Sequence, residues 1–199
     1  MLFLDPIIID ARAEVSGITT VHSPHAEPDQ HDLVLAGGRA GVVLGAGDVA
    51  YHVAGDAAIG ASTGNTADGT EDRNGFAYAL SLLPLGFAWR IDKQSTLTLG
   101  TGIGASGATG GLDDVVTVPV ELTYEGGSDF HLMTRLRVAY AFEAVTRAPS
   151  LGNHVVGELF AGLAMAMDEK SDGAFYFGVL YEEMYDARYA GAAIGYRFR

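Results

Sequence analysis

The chain has 199 residues, no cysteine and a formal net charge of −13, with 12 Lys and Arg against 25 Asp and Glu. That balance excludes a nucleic-acid partner, because phosphate binding needs clustered cations. The missing thiols exclude disulfides, thiolate metal sites and cysteine nucleophiles.

Apolar residues make up 48 % of the chain and glycine holds 27 positions, yet the apolar runs are only a few residues long. No membrane helix fits such runs, so a bilayer could be crossed only by a closed β-barrel. No interdomain linker is visible, and a single barrel domain over 1–199 is expected. The opening MLFLDP lacks the basic head and apolar core of a signal peptide. Either Met1 stands before a mature, exported chain or the protein stays in the cytoplasm, and the strand pattern favours the first.

Taken in order, Ile7 to Ile18 alternates, with Ile7, Ile9, Ala11, Ala13 and Val15 on one face and Asp10, Arg12, Glu14 and Ser16 on the other. Thr20 to Asp32 has two prolines and no periodicity and reads as a long exposed loop. Leu33 to Ala46 resumes alternation, with Val34, Ala36, Ala40, Val42 and Leu44 opposite Leu35, Gly37, Arg39 and Gly41. A short turn at Gly45 to Asp48 leads into Val49 to Ala61, where His52 and Asp56 oppose Tyr51, Val53 and Ile59. Thr63 to Gly75 is a second polar loop. Phe76 to Arg90 is less regular, and the adjacent Leu82 and Leu83 before Pro84 predict a bulge or register change.

A turn near Ile91 to Gln94 joins this strand to Ser95 to Ala105, and Gly107 to Asp114 reads as a third loop. Val115 to Tyr124 sets Val116, Val118, Val120, Leu122 and Tyr124 against Glu121, and Gly126-Gly127 turns the chain. Asp129 to Glu143 alternates most strictly of all. Leu132, Thr134, Leu136, Val138, Tyr140 and Phe142 face one way, and His131, Met133, Arg135, Arg137, Ala139, Ala141 and Glu143 the other. After a loop at Arg147 to Asn153, Val155 to Met167 presents Leu159, Leu163 and Met165 opposite Glu158 and Phe160. Past the turn Asp168 to Gly173, Phe175, Phe177, Val179 and Tyr181 line another strand, and Tyr189 to Arg199 ends the chain.

The fold class expected is all-β: a closed antiparallel up-and-down transmembrane barrel of about ten strands, with eight as the alternative, alternating short turns with longer loops. LPLGFAWRIDKQSTL from Leu83 and VPVELTYEGGSDFHL from Val118 share a Pro in second place and an aromatic in seventh, as if one hairpin design were used twice. The apolar faces are expected to meet lipid. The opposite faces then line the interior with Asp10, Arg12, Glu14, Arg39, His52, Asp56, Arg90, Glu121, His131, Arg135, Arg137, Glu143, Glu158 and Arg197. In a narrow lumen these charges are expected to interlock as ion pairs and leave little passage; a selective pore lined by the arginines is the alternative. Tyr51, Trp89, Tyr124, Tyr140, Tyr181 and Tyr196 are candidates for aromatic girdles at the interfaces.

The end, YAGAAIGYRFR, carries apolar residues at every second position and an aromatic near the terminus. In this it resembles small outer-membrane β-barrel proteins of Gram-negative bacteria, departing from their pattern in having Phe198 penultimate and Arg199 last. The resemblance implies a location in the bacterial outer membrane, contact with its lipid, and recognition by the barrel-assembly machinery.

Other clusters carry weaker chemistry. His22, His25 and His31, with Glu27, Asp29 and Asp32, could coordinate zinc but match no established ligand spacing, and a solvated loop is the plainer reading. Asp68, Glu71 and Asp72 lack the spacing of a calcium loop. GTGIGASG, Gly100 to Gly107, lacks the lysine and following helix of a phosphate loop and reads as small residues on a strand. No cofactor is expected. Some outer-membrane barrels are hydrolases, but the nearest grouping, His154 with Ser150 and Glu158, makes no recognisable triad. The expected function is therefore non-enzymatic, exercised through the outer loops in surface binding or membrane integrity, with a small-solute pore or a soluble ligand-binding barrel as alternatives.

Overall fold

The computed structural model describes residues 8–22, 30–45, 48–65, 74–92, 94–109, 112–127, 130–142, 155–166, 173–184 and 187–198. They form ten strands: β1 (Ile8–His22), β2 (Gln30–Leu44), β3 (Val49–Asn65), β4 (Gly75–Arg90), β5 (Ser95–Ala108), β6 (Leu112–Gly126), β7 (Phe130–Ala141), β8 (Val155–Ala166), β9 (Gly173–Met184) and β10 (Ala187–Phe198). Each strand pairs antiparallel with its neighbours in sequence, and β1 closes on β10, so no edge is left open. The expected all-β up-and-down barrel is observed, with ten strands rather than eight.

Alternation fixes which way each side chain points. Along β7, Leu132, Leu136, Val138 and Tyr140 are exposed on the outer face, whereas Met133, Ala139 and Ala141 are buried within. The same outward exposure holds for Ile59, Leu82, Ile103, Val120, Leu163, Phe177, Val179 and Ile194. A soluble barrel would bury these residues. An exposed apolar belt that runs around a closed wall is far larger than a soluble monomer tolerates, and lipid is the solvent it suits. Phe130 and Tyr140, ten positions apart on β7, mark its height. At about 3.3 Å per residue and a tilt of about 40°, they stand roughly 25 Å apart across the wall, the height of the apolar band in membrane barrels.

Aromatics gather at both rims of that belt. Near the end where β2–β3, β4–β5 and β6–β7 turn, Tyr51 meets Phe87 and Phe87 meets Trp89, with ring centroids 6.3 and 6.2 Å apart, while Phe175 and Tyr196 lie at 4.9 Å. Trp89 pairs with Leu97 and Leu97 with Tyr124, so the two repeated hairpins put their aromatics in one row. At the opposite rim Tyr140 packs on Phe142 at 6.2 Å. Gly45 and Gly127 take positive φ at two of the turns, a conformation that suits glycine.

Several boundaries differ from the sequence expectation. The bulge before Pro84 is present, as register shifts between Leu82 and Leu85 against β5 and between His52 and Ala54 against β4. The expected loops at 20–32, 63–75 and 107–114 are shorter, because ladder pairing continues into polar sequence. β1 runs to His22, β2 begins at Gln30, β3 ends at Asn65 and β6 begins at Leu112. At this loop end β9 and β10 are joined between Met184 and Ala187, so short and long connections do not alternate as strictly as expected.

Candidate functional site

The interior is layered. Its middle is a band of charges drawn from strands all round the wall. Glu121 on β6 is 2 % exposed and is clasped by two arginines. Arg39 of β2 donates from Nη2 at 2.5 Å and from Nη1 at 3.0 Å, and Arg137 of β7 donates from Nη2 at 2.6 Å and Nε at 3.0 Å. Arg137 also reaches Asp56 of β3 at 2.8 Å, and the Ser81 hydroxyl donates to the same carboxylate at 2.6 Å. Arg39 lies 3.8 Å from Asp56. Each arginine thus bridges two carboxylates, and each carboxylate two arginines. Such mutual pairing is what allows charge to persist away from water.

Beside this knot, Arg135 donates from Nε to Glu158 at 2.6 Å, lies 4.0 Å from Glu14 and stacks over the Phe160 ring at 5.5 Å. Glu14 accepts the Tyr176 hydroxyl at 2.6 Å. Arg12 on β1 pairs with Glu125 on β6. In the barrel order these two strands are five steps apart in either direction, so the pair crosses the full width of the lumen.

Above and below lie apolar layers. Ile18, Leu33, Ala77, Ala108 and Tyr189 are buried toward the loop end, and Met133, Phe160, Ala164, Tyr176 and Leu180 toward the turn end, Leu180 standing opposite Phe160. One cavity of about 130 Å³ lies on the loop side of the charged band, and a second of about 110 Å³ lies within the band, lined by Arg12, Glu14, Arg39, Asp56, Arg135 and Arg137 among others.

The sequence-derived interior set falls out as follows. Arg12, Glu14, Arg39, Asp56, Glu121, Arg135, Arg137 and Glu158 meet in the charged band. His52 is buried and His131 half-buried on the inward side. Arg90 is a correction: it is exposed, because it ends β4 at the turn rim, where its backbone N–H donates to Asp48, and the wall no longer encloses it. Asp10 and Arg197 occupy strand positions opposite Gly41 and Arg12, but their side chains lie outside the described residues, as does Glu143. Ser150, His154, His25 and the acidic stretch around Asp68 also lie outside them. His22 and His31 sit on β1 and β2 rather than in a loop, paired with Arg188 and Gly64. Among the described residues no group of three His, Asp or Glu is arranged to hold a metal ion. Gly100 and Gly104 are strand residues of β5.

Glu125, Tyr176 and Glu182 were not anticipated. Their signal was available in the same alternation, since Glu125 sits four positions from Glu121, and Tyr176 and Glu182 fall between or beside the outward Phe175, Phe177, Val179 and Tyr181. With them, the described inward side chains include six carboxylates (Glu14, Asp56, Glu121, Glu125, Glu158, Glu182) and four guanidiniums (Arg12, Arg39, Arg135, Arg137).

No protein-family model and no curated protein matches the sequence. Among solved structures, the chain is similar to the translocator domain of autotransporter NalP from Neisseria meningitidis, with 9 % identity over 97 % of this chain and 88 % of that one and a TM-score of 0.47. It is also similar to the transport unit of the autotransporter AIDA-I from Escherichia coli (10 % identity, 96 % and 90 % covered, TM-score 0.43). A third is a bacterial polysaccharide outer membrane secretin (10 % identity, 95 % and 98 % covered, TM-score 0.41). The closed wall, the outward apolar belt and the inward charges define the class: this is a membrane-spanning β-barrel.

Proposed function

We propose that this protein is a non-enzymatic barrel of the bacterial outer membrane whose lumen is closed at mid-height by its own ion pairs, and which acts through its loop end in surface binding or in reinforcing the membrane. The observation that carries the reading is the set of links across the lumen. Arg12–Glu125 joins opposite walls, and Arg39–Glu121 and Arg137–Asp56 join strands four steps apart. A conducting pore keeps its charges on the wall and water at its axis; here the paired side chains reach across from one wall to another, which supports the closed reading. The final strand supports the location, because its outward Ala190, Ala192, Ile194 and Tyr196 give the alternating pattern on which the assembly machinery of such membranes is expected to act. The neighbouring lipid is then the protein's principal partner.

Planar-bilayer recording tests the reading. The barrel inserted in lipid is expected to give no stable conductance steps at 1 M salt. The double variant Arg12→Ala, Glu125→Ala is expected to give small ones, since it clears the widest crossing. Regular steps from the unaltered protein would instead establish a narrow pore.

A further inference from the structure

We infer that the interior holds a binding site for a small organic cation, with its ammonium between Glu158 and Glu182 and its apolar body in the chamber toward the loop end. The two carboxylates stand directly opposite each other on β8 and β9, both facing inward. Residues so placed have Cβ atoms about 5 Å apart, and like charges there repel. Glu158 is held by Arg135 at 2.6 Å, whereas no hydrogen bond or ion pair to Glu182 occurs among the described residues. Every other described inward carboxylate has a guanidinium or hydroxyl partner, so among the described residues the deficit of positive charge is localised at Glu182.

The surroundings say what kind of cation suits the deficit. Glu158 and Glu182 lie where the two cavities meet, since both line each of them, together with Leu35, Ala79 and Arg137. The chamber on the loop side, about 130 Å³, is otherwise walled mainly by apolar groups, among them Ile18, Leu33, Ala77, Ala139 and Val156, with the hydroxyls of Ser81, Ser106 and Thr117 between them. A hydrated inorganic ion would leave those walls wet. A cavity of about 150 Å³ with aliphatic walls accepts benzene, so a benzene-sized body bearing one ammonium matches both the chamber and the charge. An anion would face two carboxylates. The inference goes beyond the closed-lumen reading: conductance decides that one, and binding decides this.

The test is calorimetric titration of the barrel in phosphatidylcholine nanodiscs, with empty nanodiscs subtracted, using benzylammonium, benzyl alcohol, benzoate and sodium as probes. Benzylammonium is expected to bind one per barrel, at least tenfold tighter than benzyl alcohol, with benzoate weaker still and sodium failing to displace it at equal concentration. Glu182→Gln is expected to weaken it tenfold or more. Ala77→Leu, which narrows the chamber and leaves both carboxylates in place, is expected to weaken it as well. Equal binding of the amine and the alcohol overturns the inference, as does displacement by equimolar sodium. Unchanged affinity in a folded Glu182→Gln barrel also overturns it. Should that variant fail to fold, unchanged affinity in Ala77→Leu overturns it in its place.

Discussion

Replacing Glu121 with alanine is the sharpest perturbation of the interior. Glu121 is almost wholly buried and accepts five hydrogen bonds or ion pairs: two from Arg39, two from Arg137 and one from the Thr123 hydroxyl at 3.3 Å. Its removal leaves two guanidiniums with Asp56 as their shared carboxylate, 2.8 Å from Arg137 and 3.8 Å from Arg39. Removing one member of a buried pair costs about 3–5 kcal/mol, because the remaining charge stays desolvated. Water that enters the vacated space offsets part of this, so a loss of about 3 kcal/mol is expected. Urea unfolding of the barrel in lipid vesicles, followed by the emission of Trp89, the single tryptophan, measures it. Arg188→Ala supplies the contrast: Arg188 is 53 % exposed at the loop rim and 3.9 Å from Glu183, and a pair of that kind contributes roughly 0–1 kcal/mol. If Glu121→Ala cost no more than Arg188→Ala, the interior would be a solvated channel and the argument for a closed lumen would fail.

Other expectations follow from the wall. Leu136→Arg puts a cation at mid-belt on the outer face, where Leu136 is 46 % exposed, and is expected to cost about 2–4 kcal/mol in vesicles; a cost under about 1 kcal/mol would mean that face does not meet lipid. Trp89 sits at the turn rim beside Phe87, so lipids brominated near the headgroup should quench it more strongly than lipids brominated at the chain ends, and the reverse order would displace the belt. A Cβ at Gly102 would lie 1.9 Å from the Leu82 carbonyl oxygen and 2.7 Å from Pro84 Cδ, whereas one at Gly157 meets nothing within 4 Å. Gly102→Ala is therefore expected to destabilise by about 1–3 kcal/mol and Gly157→Ala to be close to neutral, as read by the same unfolding curves.

The wall was legible because a period of two leaves little choice. Once Leu136 and Val138 are set to lipid, Arg135 and Arg137 must look inward, and the register of β6 and β8 follows from the same rule. What the alternation does not carry is who meets whom across the lumen. Strand tilt and stagger set residue heights, so nothing local to Arg12 points to Glu125, more than a hundred positions away. Glu182 was hidden for a different reason. The outward face of β9, with Phe175, Phe177, Val179 and Tyr181, is so uniform that its mixed inward face of Tyr176, Gly178, Leu180 and Glu182 draws no notice. Arg90 misled because parity gives direction but not depth: an inward phase at the last residue of a strand leads out of the barrel's mouth.

The pairing of Arg12 with Glu125 also bears on the order of assembly. A chain that builds its wall hairpin by hairpin brings β1 and β6 to opposite sides only when the first and last strands join. Until that seam shuts, the guanidinium and carboxylate stay in water and contribute nothing. The crossing links therefore reward completion rather than progress, and a half-built sheet has no share in them.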